Sequence, residues 1–184
     1  NKQITTGEGG MITTNNKKLF DRSKSLRNLC FGKKDRFNHE DIGWNYRMTN
    51  LQASLGVSQL KRIKSIVSKR HEVGKKYFEK LKNNKNIYMP EGSRIYAKNI
   101  YWVIAIVIIN KDLKIDAKQL MKKLLNYGIQ TRPFFWPMHK QSVFRKKNKI
   151  SISGNYKNSE YISKYGLYLP SSLDIKSNQI KFVC

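Results

Sequence analysis

Apolar residues recur along this chain with two different periods. From Leu51, through Leu55, Leu60, Ile63, Ile66, Val67, Val73 and Tyr77 to Leu81, they return near helical spacing. Thr49 and Gln52 make a Thr-x-x-Gln capping box just ahead of that run. The pattern predicts one helix reaching about Lys82, longer than most globular helices and of a kind that bridges two subdomains. Gly56 and Gly74 interrupt it as weak points or close-packing positions. A second helix is expected from Asn15 and Asn16 to about Asn28, with a narrow stripe of Leu19, Phe20 and Leu26. A third begins at Asp116 and Gln119, another N-terminal box. It carries Ala117, Leu120, Met121, Leu124 and Leu125 on its apolar face and closes at Gly128 as a left-handed cap.

The other period belongs to strands. Residues 4–14 are β-branched around Gly7-Glu8-Gly9-Gly10 and predict two short strands joined by a tight turn. Residues 96–109, 129–132 and 167–169 read as further strands, separated by helices near 117–127 and 156–165, with a last helix from about 175. This alternation gives an α/β class for the second part of the chain. Two stretches stand apart: an irregular aromatic and charged loop at 29–48, too long to be a plain connector, and an aromatic loop at 133–144 with two prolines, followed by a Lys-rich insert at 145–154. The character changes at Asn83, so residues 1–82 and 83–184 are read as two domains.

Composition adds limits. With 39% hydrophobic and 27% charged residues, the 184-residue chain can bury a core and is not a disordered segment. The net charge of +25 invites a nucleic-acid-binding module as an alternative. The lysines are dispersed, however, and such a module needs basic residues clustered on one face with stacking aromatics. Abundant Lys, Asn and Ile together fit compositional drift, and the reading taken is no nucleic acid. The two cysteines, Cys30 and Cys184, give neither a metal spacing nor a disulfide framework, which fits a reducing, cytoplasmic setting. The longest apolar run, 100–109, is about half of what a membrane helix needs, so no membrane partner is expected.

The chemistry concentrates at Lys2. One lysine among many is ordinarily a solvated side chain, but its neighbours form a pattern. Asn1-Lys2-Gln3-Ile4-Thr5-Thr6-Gly7-Glu8-Gly9-Gly10-Met11 resembles the Schiff-base lysine segment of the DegT/DnrJ/EryC1/StrS sugar aminotransferases. Residues 43–53 (GWNYRMTNLQA) resemble the family's loop-to-helix signature. Residues 128–141 (GIQTRPFFWPMHKQ) resemble its small-domain strand and loop, and Leu169-Pro170-Ser171 also fits. Long motifs in the same order are more specific than any short pattern. The 132–139 run and Arg36-Phe37-Asn38-His39-Glu40 look most like the perosamine-forming branch.

The resemblance implies the fold-type-I PLP-dependent aminotransferase architecture. Residues 1–82 would be the C-terminal part of the large coenzyme-binding domain and 83–184 the small α/β domain, in a homodimer with shared active sites. It implies pyridoxal 5'-phosphate on Lys2, glutamate as amino donor, and a nucleotide-linked keto sugar as acceptor, of the GDP-4-keto-6-deoxymannose type. Lys2 is the implied general acid/base. A sister group of dehydratases carries His in its place, so Lys2 favours transamination. Asn45 and Arg47 are implied to reach the coenzyme phosphate of the other subunit. Their alternative roles are capping a turn and pairing with an acid. Arg132 fits a carboxylate or phosphate in fork geometry and His139 fits sugar hydroxyls, or the loop bearing them simply fills a domain interface. Arg36 and His39 are weaker substrate candidates. Glu8 is read as fixing its own turn and His71 as a surface residue. The ends look cut, so the chain is read as a fragment that would not turn over substrate alone, because ring-stacking and phosphate-binding residues of such enzymes lie upstream.

Overall fold

A computed structural model describes residues 2–146 and 154–184, so most of the Lys-rich insert lies outside the described residues. The chain forms two compact units, 1–64 and 65–184.

The first unit holds two helices and much irregular chain. α1 (Lys17–Arg27) starts where the Asn16 side chain accepts from the Leu19 amide at 3.2 Å, which satisfies a donor that helix geometry leaves open. α2 (Asn50–Leu60) starts at the expected box: Thr49 Oγ1 accepts from Gln52 N at 3.2 Å, and Gln52 Oε1 accepts from Thr49 N at 3.0 Å. The apolar positions of α2 do not face inward within this unit. Leu51 is 81% exposed, and Leu55, Val57 and Leu60 are exposed too, while the small and polar Gln52, Ala53, Gly56 and Gln59 are half-buried.

The two short strands expected over 4–14 do not form. Local side chains take the backbone groups that a ladder would use: Gly7 N donates to Thr5 Oγ1 at 3.2 Å, and Thr6 Oγ1 donates to the Glu8 carbonyl. The single long helix is also corrected. It breaks at Lys61–Arg62, and α3 (Ile63–Leu81) begins immediately after.

Leu29 and Cys30 adopt φ of 64° and 50°, left-handed values that cost non-glycine residues free energy. They turn the chain out of α1 into a loop closed by Leu29 N to Trp44 O (3.1 Å), Cys30 N to Ser25 O (2.9 Å) and Glu40 N to Cys30 O (3.0 Å). Gly43 lies so close to this turn that an added Cβ would sit 2.6 Å from Cys30 N and 2.7 Å from Leu29 C. The Cys30 side chain is fully buried there.

The second unit contains the core. Its four-stranded antiparallel sheet runs in the order β1-β4-β6-β5, from β1 (Ile87–Tyr88), β4 (Ile104–Ile108), β5 (Arg132–Pro133) and β6 (Gly166–Leu169). Registers are Ile87 opposite Ile108, Ile104 opposite Leu169, and Arg132 opposite Tyr168. A small hairpin, β2 (Ser93–Arg94) with β3 (Ala97–Lys98), stands apart. The strand expected over 96–109 is thus two pieces. Between them Tyr101 turns at φ 47° and buries its ring. The strand expected at 129–132 is displaced to 132–133, because Ile129 N still bonds to Leu124 O in the helix exit.

Helices pack on this sheet. Val73, Tyr77 and Leu81 of α3 enter a cluster with Ile104, Ile106, Leu167, Leu169 and Ile180, and for that reason α3 belongs with the second unit. α4 (Ala117–Asn126) has the predicted Asp116/Gln119 box and a left-handed Gly128 (φ 74°) after it. Its Leu120, Met121 and Leu124 pack on the cluster, but Leu125 points to solvent. α5 (Ser142–Lys146) runs from the end of the aromatic loop into the Lys-rich insert, α6 (Lys157–Tyr165) precedes β6, and α7 (Ser177–Val183) is the last helix. Tyr77 Oη donates to Pro170 O at 2.8 Å, and burial pushes its pKa up, so it remains a donor. Arg70 is buried and donates to Ser171 O. His71 is not the surface residue expected: its Nε2 is buried and its ring meets Tyr101 edge-on at 6.4 Å. No described helix is long and apolar enough to cross a membrane.

Candidate active site

In the first unit, the segment after Lys2 is strapped onto α2. Thr5 N donates to Gln59 Oε1 at 3.0 Å, and Gln59 Nε2 donates back to Thr5 O at 2.6 Å. That side chain therefore satisfies both backbone groups of one residue, as a strand neighbour would. Gly56 admits Thr6, whose Cγ2 would be 3.1 Å from an added Cβ. Gly9, at φ 135°, admits the Met48 methyl, which would be 2.8 Å away. The glycine turn thus rests against the end of the 43–49 loop and on the half-buried face of α2. Two motifs far apart in sequence are brought together. The Lys2 side chain is exposed.

The 44–46 segment is held by the C-terminal end of α1. Trp44 N donates to Leu26 O at 2.8 Å and Tyr46 N to Arg27 O at 3.0 Å, with Asn45 bridged to Asn28. Trp44 and Tyr46 stack at 6.1 Å. This fixes Asn45 and Arg47 just ahead of α2, where Arg47 Nε donates to Asn45 Oδ1 at 3.1 Å. The pair combines a fixed cation with an amide, both exposed, next to a helix start.

In the 29–43 loop, the Arg36 guanidinium lies 5.7 Å from the ring centres of both Phe31 and Phe37. His39 Nδ1 donates to Leu29 O at 2.6 Å, which fixes its tautomer, and its ring lies 5.0 Å from Phe31. Arg22 pairs with Asp41 and holds that carboxyl below the usual range. Glu8 contributes its carbonyl to the glycine turn; the threonines supply the side-chain bonds.

The second unit carries Arg132 and His139. Arg132 is exposed on the edge strand β5. Beside it Phe134 and Phe135 contact Tyr168 at 4.7 and 6.2 Å, and Phe135 stacks on Trp102 at 6.3 Å. His139 is largely covered and bonded to Glu160. Sequence reasoning missed Gln59 and Glu160. Gln59 had a signal: it repeats Gln52 seven positions on, marking a polar face on an apolar helix. Glu160 had only its rarity, one of 12 acids in the chain.

Comparison with known proteins decides the relationship. The DegT/DnrJ/EryC1/StrS aminotransferase family matches over residues 1–184. The chain belongs to that family. Among its relatives, GDP-perosamine synthase of Escherichia coli O157:H7 is 30% identical over 185 residues, covering 100% of this chain and 48% of the relative. GDP-perosamine synthase of Caulobacter vibrioides is 37% identical over 139 residues, covering 76% of this chain and 37% of the relative. Helicobacter pylori PseC, an aminotransferase of pseudoaminic acid biosynthesis, superposes with a TM-score of 0.84 at 25% identity, over 99% of this chain and 48% of that one. E. coli GDP-4-keto-6-deoxy-D-mannose-3-dehydratase with bound hydrated PLP has a TM-score of 0.84 over 98% of this chain and 50% of that one; at 21% identity it supports the fold alone. The chain spans about half the length of the curated relatives it matches over its whole length. The α/β fold is that of the family's PLP-dependent aminotransferases, and PLP is the coenzyme that family membership implies.

Proposed function

We propose that the protein to which this chain belongs transfers an amino group to a nucleotide-linked keto sugar, of the GDP-4-keto-6-deoxymannose type, with glutamate as donor. The carrying observation is the two-way bond of Gln59 to Thr5, with Thr6 on Gly56 and Gly9 on Met48. It braces the Lys2 segment on the helix that follows Asn45 and Arg47, so that one frame would hold the lysine of the chain's own site and the phosphate pair offered to its partner's. The similarity to two GDP-perosamine synthases supports the choice of sugar.

The donor set fits PLP. Lys2 offers a primary amine for an aldehyde, and Asn45 with Arg47 offers an amide and a guanidinium for a phosphate. Lys2 would hold the coenzyme covalently, and the Asn45–Arg47 pair would hold its phosphate, in a homodimer in which that pair serves the partner's site. When bound, PLP supplies the electron sink for transamination. This chain's own contribution is position and proton transfer. Lys2, on the segment braced by Gln59, would act through Nζ as the general acid/base that moves the proton between the coenzyme carbon and the sugar carbon that receives nitrogen. Arg36, Arg132, His39 and His139 are the substrate-side candidates, with His39 held by its bond to Leu29 O. Residues 1–82 would be the C-terminal part of the large domain, with α3 as the bridging helix whose Val73, Tyr77 and Leu81 enter the core of the second unit, and 83–184 the small domain.

The full-length protein, reduced with borohydride in the presence of PLP and mapped by peptide mass, is expected to carry the adduct at Lys2. Lys2→Ala is expected to lower sugar amination by about 10³-fold or more, the scale of a lost acid/base group. An unmodified Lys2, or a Lys2→Ala variant with wild-type turnover, would refute the proposal.

A further inference from the structure

Lysines are spread along the sequence, yet an unbalanced group of them gathers at α4. Lys118 and Lys122 stand one turn apart on the side away from the core, and Leu125, 60% exposed, continues that side. Lys123 flanks them, and Tyr127 at the helix exit is exposed as well. The other side of the helix, Ala117, Leu120, Met121 and Leu124, is taken up by the core. Just upstream, the 3-10 turn Lys111–Leu113 and the residue after it add exposed Lys111, Leu113 and Lys114.

Among the described residues, no carboxylate forms an ion pair with these five lysines. The ion pairs of the second unit join Lys76 to Glu72, Lys82 to Glu79, Arg94 to Glu91, and His139 and Lys140 to Glu160. Residues 111–127 carry only two acids, Asp112 and Asp116. Asp116 is engaged at the start of α4, where its carboxylate accepts from Gln119 N at 2.9 Å. The cationic side of α4 therefore has no internal partner for its charge.

What lies among the lysines selects the kind of partner. Nucleic-acid surfaces rely on arginine forks and stacking aromatics, and residues 111–127 hold no arginine and one aromatic. Ammonium groups interspersed with exposed Leu113, Leu125 and Tyr127 suit the interface of an anionic bilayer. There apolar tips enter the headgroup layer while lysines meet lipid phosphates. Such contact needs no membrane-spanning helix.

We infer that the outward side of α4, with the turn before it, is a docking surface for an anionic lipid bilayer. The contact is reversible and does not depend on the function proposed above.

The test is co-sedimentation of the full-length protein with phosphatidylglycerol–phosphatidylcholine vesicles, compared with vesicles of phosphatidylcholine alone. Binding to the anionic vesicles only, weakening as salt is added, is expected. A lysine near an anionic surface contributes about fivefold to partitioning, so Lys118→Gln/Lys122→Gln should weaken binding about 25-fold. Thermal unfolding should not change, because glutamine matches lysine in helix propensity. The control is Lys75→Gln/Lys80→Gln, which takes the same charge from two exposed lysines of α3 and should change binding by about twofold at most. Leu125→Ser should weaken vesicle binding about threefold, through lost apolar insertion, and leave binding to single-stranded RNA unaltered. No binding to anionic vesicles overturns the inference. An equal loss in the α3 control assigns the effect to net charge and overturns α4 as the surface. RNA bound more tightly than vesicles, or Leu125→Ser with unchanged vesicle binding, overturns the bilayer as the occupant.

Discussion

Gly74→Ala sets two opposed effects against each other. An alanine in the middle of α3 should gain about 1 kcal/mol of helix propensity over glycine. The Cβ, however, would lie 2.3, 2.4 and 2.5 Å from Cδ2, Cγ and Cε2 of Tyr101. That ring cannot step aside freely. It is buried, its residue is already at φ 47°, its amide donates to Asn99 Oδ1 at 2.8 Å, and its hydroxyl lies 2.6 Å from where a Cβ on Gly92 would be. Overpacking of a filled core costs about 1–3 kcal/mol. Three overlaps on a pinned ring put this case at the upper end, so the net loss is about 2 kcal/mol. Urea unfolding of the full-length protein should show a lower midpoint with an unchanged slope. In a Tyr101→Ala background the overlap is gone, and the same Gly74→Ala change should become neutral or stabilising, so the double-mutant cycle reports the clash directly. Wild-type stability or better for Gly74→Ala with Tyr101 in place would refute this account of the packing.

Two further outcomes can be checked. Gln59→Ala removes both bonds to Thr5, and the turn after Lys2 is expected to loosen. PLP affinity, titrated by visible absorbance, should fall about tenfold, and an unchanged dissociation constant would show that the strap does not serve the site. Asp41 has its carboxyl depressed by the Arg22 hydrogen bond first and by the Ile42 amide second. A depressed folded-state pKa gives stability that is present above the ordinary aspartate value and lost as pH falls through the depressed one. The stability gap between wild type and Asp41→Asn should therefore hold near neutral pH and close in acid. A gap that does not narrow as the solution is acidified contradicts the pairing.

The helices with explicit terminal chemistry were legible in the sequence: Asn16, the Thr49/Gln52 and Asp116/Gln119 boxes, and Gly128 all act where they were expected. Capping is local, so a few neighbouring residues suffice to reveal it. What failed depended on partners far along the chain. Residues 4–14 have strand composition, yet Thr5 finds its backbone partner in a glutamine 54 positions away. Apolar spacing continued across Lys61–Arg62 and hid the break, and in α2 the periodic leucines turned outward while Gly56 and Gln59 turned in. Tyr101 has strand propensity but serves as a buried corner between two glycines. Of the candidate site, residue types and order were readable. The bonds of His39 to Leu29 O and of His139 to Glu160 were not, since periodicity carries no information about which loop folds back on which.

The turn at Leu29–Cys30 also has a meaning for the evolution of this chain. Two adjacent side chains sit in backbone states that favour glycine or asparagine, while position 43 opposite has no room for even a methyl group. Tolerance is therefore inverted here. The two residues with side chains could drift toward smaller ones and relieve strain, whereas the residue with none is barred from growing. Natural variation along this loop should be widest where the backbone is most distorted and narrowest at the glycine that looks least constrained.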